Sequence, residues 1–187
     1  MGRSSQKPLD RETLLREALN LLDEKGLQGL SLRALAERLN VQAPAFYWHF
    51  RSKDELLGHM SAAIYREARE TVPQCNHWSD WLLFYGSALR LRLARQRGAA
   101  RLCATVQPQG HDVSLSPAVI ASPLTSLGLN ERQGLNAVAA VTSLCIGWGS
   151  YDEDGSMHRF LEGIIDFDES FNVALEALVA GLASRLK

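Results

Sequence analysis

Residues 31–53, SLRALAERLNVQAPAFYWHFRSK, constrain the fold more than any other stretch. They read as two short helices joined at a tight turn, followed by the start of a third. Ser31 is a good N-cap, because its hydroxyl can take a backbone N–H left unpaired at a helix start. Leu32, Leu35, Ala36 and Leu39 recur at three- and four-residue spacing, which makes one face apolar. Asn40, Val41 and Gln42 leave room only for a turn, and Asn tolerates the left-handed conformation that ends helices. Pro44 fits the first turn of the next helix, where its missing N–H is harmless. In that helix Phe46 and Phe50 stand four apart and anchor it against Leu35 and Leu39. Ala43, Pro44, Tyr47 and Trp48 then fall on the opposite side. Clustered aromatics ordinarily belong in a core. Here small residues followed by Tyr, Trp and His, on a helix held by one edge, suit the DNA major groove.

The same stretch carries a family resemblance. Its features are Gly29-Leu30-Ser31-x-Arg33, the Leu35-Ala36-x-x-Leu39 helix, then Val41, Pro44, Tyr47-Trp48-His49 and Lys53. Residues 29–53 thereby resemble the DNA-binding region of the tetracycline repressor (TetR) family. The likeness continues diffusely through Trp78, Arg90, Pro108, Gly147, Phe171, Leu175, Glu176, Gly181, Leu182 and Leu186. It implies an all-α, homodimeric, ligand-responsive regulator, a repressor by expectation, that binds a palindromic operator in double-stranded DNA. Longer polar side chains would read bases where Ala43 and Ala45 stand. Alanine can meet only a thymine methyl, so discrimination falls to Arg33, Gln42 and the Pro44 to Tyr47 surface, with Trp48 beside it. Tyr47, His49 and Lys53 are assigned to phosphates, which position a reading head without identifying sequence.

The resemblance also implies an effector pocket at Arg69, Tyr85, Leu89, Cys103, Val106 and Tyr151, with Leu102 and Trp148 alongside. Cys103 stands where the family's magnesium-ligating histidine would, and Tyr151 where its acidic partner would. A hard cation prefers oxygen ligands, so these replacements argue against a magnesium-bound drug and for an apolar or aromatic small molecule. By residue type, each of these side chains also suits an ordinary core.

Composition sets few further limits. A chain of 187 residues with 46% hydrophobic and 22% charged residues can bury a sizeable core. Its net charge of −1 excludes polyanion binding by bulk charge, but a sequence-specific reader needs only a few placed cations. Residues 1–8 form a polar arm with Arg3 and Lys7 that can brush phosphates or stay a plain tail. Three cysteines, Cys75, Cys103 and Cys145, are odd in number and far apart, which is no disulfide framework. No charged start precedes an apolar run, and the longest apolar stretch, residues 137–148, is too short to span a bilayer. The expectation is a cytoplasmic protein without membrane contact.

Along the chain, Asp10 caps a first helix that ends at Gly26. Ser52 to Glu55 is a capping box for a rigid connector helix ending before Pro73. A helix over residues 78–97 follows, and the local basic run Arg90, Arg92, Arg95, Arg97 and Arg101 reads as a solvated face plus helix-end complementarity. Residues 108–123 read as a loop around a short helical piece. The helix over residues 131–150 is apolar or small all round, so it needs burial on more than one face. Together with a last helix over residues 168–186 it predicts a four-helix dimer seam through Leu135, Ala139, Thr142, Ile146, Leu175, Leu178, Val179, Leu182 and Leu186. The expected organisation is a reading head at 1–52, a connector at 53–72, and an effector-binding and dimerisation domain at 73–187.

Catalysis finds little support. Cys75-x-His77 is an isolated metal-like pair, and Asp152, Glu153 and Asp154 lack the glycine and distal glutamate of a calcium loop. No metal or cofactor is expected, and no enzyme activity. Two rivals remain at this stage: a thiol or metal sensor of the same fold using Cys75, His77 or Cys103, and a helical ligand-binding protein or enzyme with a vestigial head.

Overall fold

The computed structural model describes residues 10–110, 116–152 and 155–186. The N-terminal arm with Arg3 and Lys7, the side chains of Ala43 and Asp152, and the acidic pair Glu153 and Asp154 lie outside the described residues. Among those described, every regular element is helical. In order they are α1 (Arg11–Gly29), α2 (Leu32–Leu39), a 3-10 helix (Ala43–Trp48), α3 (Lys53–Glu70) and α4 (Trp78–Ala94). Then come α5 (Ala99–Thr105), α6 (Pro117–Thr125), α7 (Glu131–Asp152), α8 (Ser156–Glu162) and α9 (Phe167–Arg185).

The caps fall where the side chains require them. Asp10 accepts the Thr13 N–H at 2.7 Å, and Ser31 accepts that of Ala34 at 3.1 Å. Gly26, at φ +66°, breaks α1 one turn before its end. Asn40 is left-handed at φ 51°, and its N–H returns to the carbonyls of Ala36 and Glu37. Asn130 and Gln133 cap the start of α7 reciprocally, each side chain accepting the other's backbone N–H at 2.9–3.0 Å.

One continuous hydrophobic core follows from these elements and runs from the head into the body. In the head, Leu14, Leu21 and Leu22 of α1 meet Leu35 of α2, Phe46 and Phe50, and Leu56 and Met60 of α3. In the body, α4 lies between α3, α7 and α9. Its Trp81, Leu82, Tyr85, Leu89 and Leu93 belong to the same buried cluster as Val141 and Cys145 of α7 and Phe171, Leu175 and Val179 of α9. A Cβ at Gly86 would sit 2.7 Å from Leu175 Cδ1 and 3.0 Å from Val141 Cγ1, so glycine there permits the close crossing.

Polar contacts tie the head and the connector helix α3 to the body. The Gln96 amide donates to the Leu19 carbonyl at 2.7 Å, and the Asp23 carboxylate accepts the Arg97 N–H at 2.9 Å. The Gln109 N–H donates to the Gly58 carbonyl at 2.9 Å.

The structure corrects the sequence reading at several points. α4 stops at Ala94 rather than residue 97, and the chain restarts through Gly98 at φ +76°. Arg90 is buried rather than solvated, with Nη2 3.5 Å from Asp168 Oδ1 and its guanidinium over the Phe171 ring. Arg92 bridges Glu67 at 2.6 Å and Gln96 at 2.7 Å, while Arg95, Arg97 and Arg101 are exposed as expected. Leu175 and Val179 are buried within the protomer and present no surface to a partner. Thr142 is on the inward side of α7, against Tyr85.

Candidate nucleic-acid interface and effector cavity

The reading element is a single 3-10 stretch of six residues pinned from one side. Phe46 and Phe50 are fully buried, at 0% exposure. The Phe46 carbonyl accepts the N–H groups of both His49 and Phe50 at 2.8 Å, so the backbone turns back toward α3 directly behind the anchor. A 3-10 helix has three residues per turn, which sets Pro44 in line with Tyr47 and Ala45 with Trp48. Pro44 is exposed, Tyr47 is 59% exposed and Trp48 is 89% exposed. Leaving two such rings in water forgoes ~25 cal/mol for each Å² of apolar surface, which the monomer does not recover.

The exit from this element is tied down on two sides. The Glu55 carboxylate accepts the Arg51 N–H at 2.7 Å, while the Ser52 hydroxyl accepts the Glu55 N–H at 3.1 Å. Arg11 of α1 reaches Glu55 at 3.3 Å, bonds His59, and lies over the Phe50 ring. The Arg51 N–H, followed by the Arg11 and His59 charges, holds the Glu55 carboxyl below the usual carboxylate range. On the far side of α2, Arg38 clamps Glu17 at 2.9 Å and Glu24 at 2.7 Å, bracing it against α1.

The residues assigned to bases and phosphates differ in exposure. Arg33 is exposed and, among the described residues, pairs with Glu37 at 2.9 Å, a surface contact worth about 0–1 kcal/mol that a phosphate can displace. Gln42 is exposed, while Ala45, His49 and Lys53 are half-buried. Lys53 opens α3, where side-chain charge and helix dipole both favour an anion.

The body holds a cavity of ≈ 200 Å³ lined by Tyr65 and Arg69 of α3, Tyr85 of α4, Pro108, Ile120 of α6, and Val138 and Thr142 of α7. Two expected pocket residues, Arg69 and Tyr85, are therefore on its wall. Leu89 and Leu102 are buried in the core instead, and Val106 is half-buried outside the lining. Cys103 is buried behind the wall, where its carbonyl accepts the Tyr65 hydroxyl at 3.2 Å. Trp148 and Tyr151 do not approach the cavity. The Trp148 indole donates to the Phe167 carbonyl at 3.2 Å and packs edge-on to Tyr151 and Phe171, near α9.

Sequence reasoning missed Tyr65, Pro108, Ile120 and Val138 as lining residues. One signal was available: Tyr65 and Arg69 are four apart and so share a face of α3. The two cavity phenols are neutral by environment. Burial raises Tyr65, and burial raises Tyr85 to about 12, partly offset by its hydrogen bond with Thr142 at 3.2 Å. Burial likewise pushes the Cys103 thiol up to about 11 and the Cys145 thiol up to about 12, far from thiolate reactivity at neutral pH. Among the described residues no three His, Cys, Asp or Glu side chains converge as a metal site would require, and no helix is long and apolar enough to cross a membrane.

The outward faces of α7 and α9 carry small and apolar residues. Ala139, Ser143 and Gly147 are exposed on α7, with Leu135 and Ile146 half-buried beside them. Val173, Ala177 and Gly181 are exposed on α9, with Leu178, Leu182 and Leu186 half-buried.

Comparison with known proteins agrees with this geometry. Residues 14–60 match the family described as bacterial regulatory proteins, tetR family. The chain is 32% identical to the class A tetracycline repressor protein from transposon 1721 of Escherichia coli, over 95% of this chain and 92% of that one. It is 28% identical to an HTH-type transcriptional regulator of Saccharopolyspora erythraea, over 97% and 88%. Among solved structures, TetR from Acinetobacter baumannii AYE superposes with a TM-score of 0.73 at 29% identity, covering 95% of this chain and 98% of that one. The class A TetR complex with 5a,6-anhydrotetracycline and magnesium gives 0.73 at 29%, covering 94% and 99%. An all-α chain with an exposed helix-turn-helix head, similar over nearly its whole length to these repressors, belongs to the TetR family of bacterial transcriptional regulators.

Proposed function

We propose that the protein is a homodimeric repressor that binds a near-palindromic operator and is released from it by a small aromatic or hydrophobic effector. The observation that carries this reading is the exposure of Tyr47 and Trp48 on an element whose opposite edge is buried through Phe46 and Phe50. The head extends through residue 52, the connector spans 53–72, and effector binding and dimerisation occupy 73–187. Arg33, Gln42 and the Pro44 to Tyr47 surface, with Trp48 beside it, read base edges, while Tyr47, His49 and Lys53 hold the backbone. Two copies enter successive major grooves roughly 34–36 Å apart. The dimer seam uses Leu135, Ala139 and Ile146 of α7 with Leu178, Leu182 and Leu186 of α9.

Coupling between effector and DNA runs along α3. This helix of 18 residues is about 27 Å long at ~1.5 Å per residue. It carries Lys53 beside the reading element at one end and Tyr65 and Arg69 on the cavity wall at the other. A ligand wedged between α3 and α7 biases the angle of the head relative to the seam. Such coupling is typically about 1–3 kcal/mol, or ~5–150-fold in operator affinity.

The class A relative takes its drug with magnesium, and the residues here do not suit that ion. The Arg69 cation on the wall repels it, and Cys103 offers only a protonated sulfur behind the wall. The test of the reading is a gel shift against duplexes selected from a random library, repeated across salt concentrations. Selection of a two-fold-symmetric site bound at least 10³-fold above random duplex, the usual specificity range, is the expected result. Equal affinity for random duplex rejects it.

A further inference from the structure

The effector cavity combines a ring-sized apolar space with a charge. A cavity of about 150 Å³ admits benzene, and this one is ≈ 200 Å³, room for one substituted ring. Its wall is mainly carbon: the rings of Tyr65 and Tyr85 with Pro108, Ile120 and Val138. Both phenol hydroxyls already have partners, Tyr65 in the Cys103 carbonyl and Tyr85 in Thr142.

Arg69 differs from the other wall residues. It is half-buried, and among the described residues its guanidinium makes no ion pair. The two glutamates nearest it on α3 are taken, Glu67 by Arg92 at 2.6 Å and Glu70 by Arg66 at 3.9 Å. Its position in the last turn of α3 suits the helix dipole, yet that interaction does not require a guanidinium on a cavity wall. A planar fork of N–H donors beside a ring-sized apolar space matches a flat ligand ending in a carboxylate, the partner that guanidinium binds bidentately.

We infer that the cavity takes a single-ring aromatic carboxylate, its ring against Tyr65, Tyr85 and Val138 and its carboxylate on Arg69. This rests on the effector-cavity reading above and narrows it. Neutral aromatics of the same shape leave the guanidinium partly desolvated without a partner, so they bind more weakly.

The experiment titrates the full chain with benzoate and with benzamide, its neutral isostere, followed by NMR to millimolar concentration. The same titrations are run on Arg69→Gln and Arg69→Lys. The expected result is at least a tenfold preference for benzoate in the wild type, retained in part by Arg69→Lys and lost in Arg69→Gln. Equal binding of the two probes by the wild type overturns the anionic assignment while leaving a ring-sized effector cavity. Binding of neither probe, with operator recognition intact, overturns the ligand class without touching the repressor reading. An undiminished benzoate preference in folded Arg69→Gln also overturns the assignment, because the charge then comes from elsewhere.

Discussion

Deleting the Phe46 ring separates what the reading element needs for folding from what it needs for DNA. Phe46 is fully buried in the same hydrophobic core as Leu35, Phe50 and the α1 leucines, so Phe46→Ala leaves a cavity there. Phe-to-Ala changes in such sites typically cost about 3–5 kcal/mol, against a whole-domain stability of roughly 5–15 kcal/mol. The head therefore opens in a measurable fraction of molecules, while α4, α7 and α9 keep their own core. Trp48→Ala is the matched control, because an 89% exposed ring has little to lose in the monomer. Its effect on stability should stay within about 0.5 kcal/mol. Urea unfolding with a gel shift on each variant decides the matter. Phe46→Ala should lower the unfolding midpoint and abolish the shift, whereas Trp48→Ala should leave the midpoint unchanged and weaken the operator complex at least tenfold. If Trp48→Ala destabilises the isolated protein as much as Phe46→Ala, Trp48 is a packing residue and the exposed-face argument fails.

Four further outcomes follow from other parts of the structure. Because the folded pKa of Glu55 lies below its ordinary value of 4.5, the stability it adds is full above that value and disappears as pH falls through the folded pKa. Urea midpoints of wild type and Glu55→Gln should thus differ at pH 7 and draw together as pH falls through the acid range; a gap that does not narrow in acid means the carboxylate charge is not the cause. Gly98→Ala forces a side chain into φ +76°, with its Cβ 3.1 Å from Leu22 Cδ1, and should cost about 1–2 kcal/mol by urea titration, an unchanged midpoint being the contrary result. Thiol labelling at pH 8 should reach only Cys75 in the folded protein and all three cysteines in urea; modification of Cys103 without unfolding would instead support the thiol-sensor rival. Gly147→Arg places its side chain where nothing lies within 4 Å in the protomer, so it should keep the helical circular dichroism and convert the dimer to monomer by sedimentation, which an unaltered mass would contradict.

The head was legible because its determinants are local. Ser31, Asn40, Pro44 and Ser52 each specify the backbone within three or four residues, and the structure places each in the role its chemistry requires. What the sequence did not disclose there is the tightness of the reading element. A phenylalanine pair four apart reads as α-helical, yet Phe50 lies beyond the 3-10 turn and is drawn inward by its N–H on the Phe46 carbonyl.

The cavity was legible only in part, because its wall comes from α3, α4, α6, α7 and Pro108, and no local pattern records which distant side chains meet. Position-by-position likeness found Arg69 and Tyr85 but carried Trp148 and Tyr151 along. Trp148 is six residues beyond Thr142, roughly 9 Å further along α7 at ~1.5 Å per residue, and that distance takes it to Phe167 and Phe171 instead. Thr142, Leu175 and Val179, expected at the dimer seam, face inward for a related reason. A helix apolar on all sides states that two faces are buried, not which is which. The difference lies in residue size. The large side chains Phe171 and Leu175 of α9 fill the protomer's core, whereas Ala177 and Gly181 of α9 and the Ala139, Ser143 and Gly147 row of α7 lie exposed and are too small to fill one. Small residues on an outward helix face permit close approach by another helix, so in an all-round apolar helix the side with less volume is the better guide to where a second subunit sits.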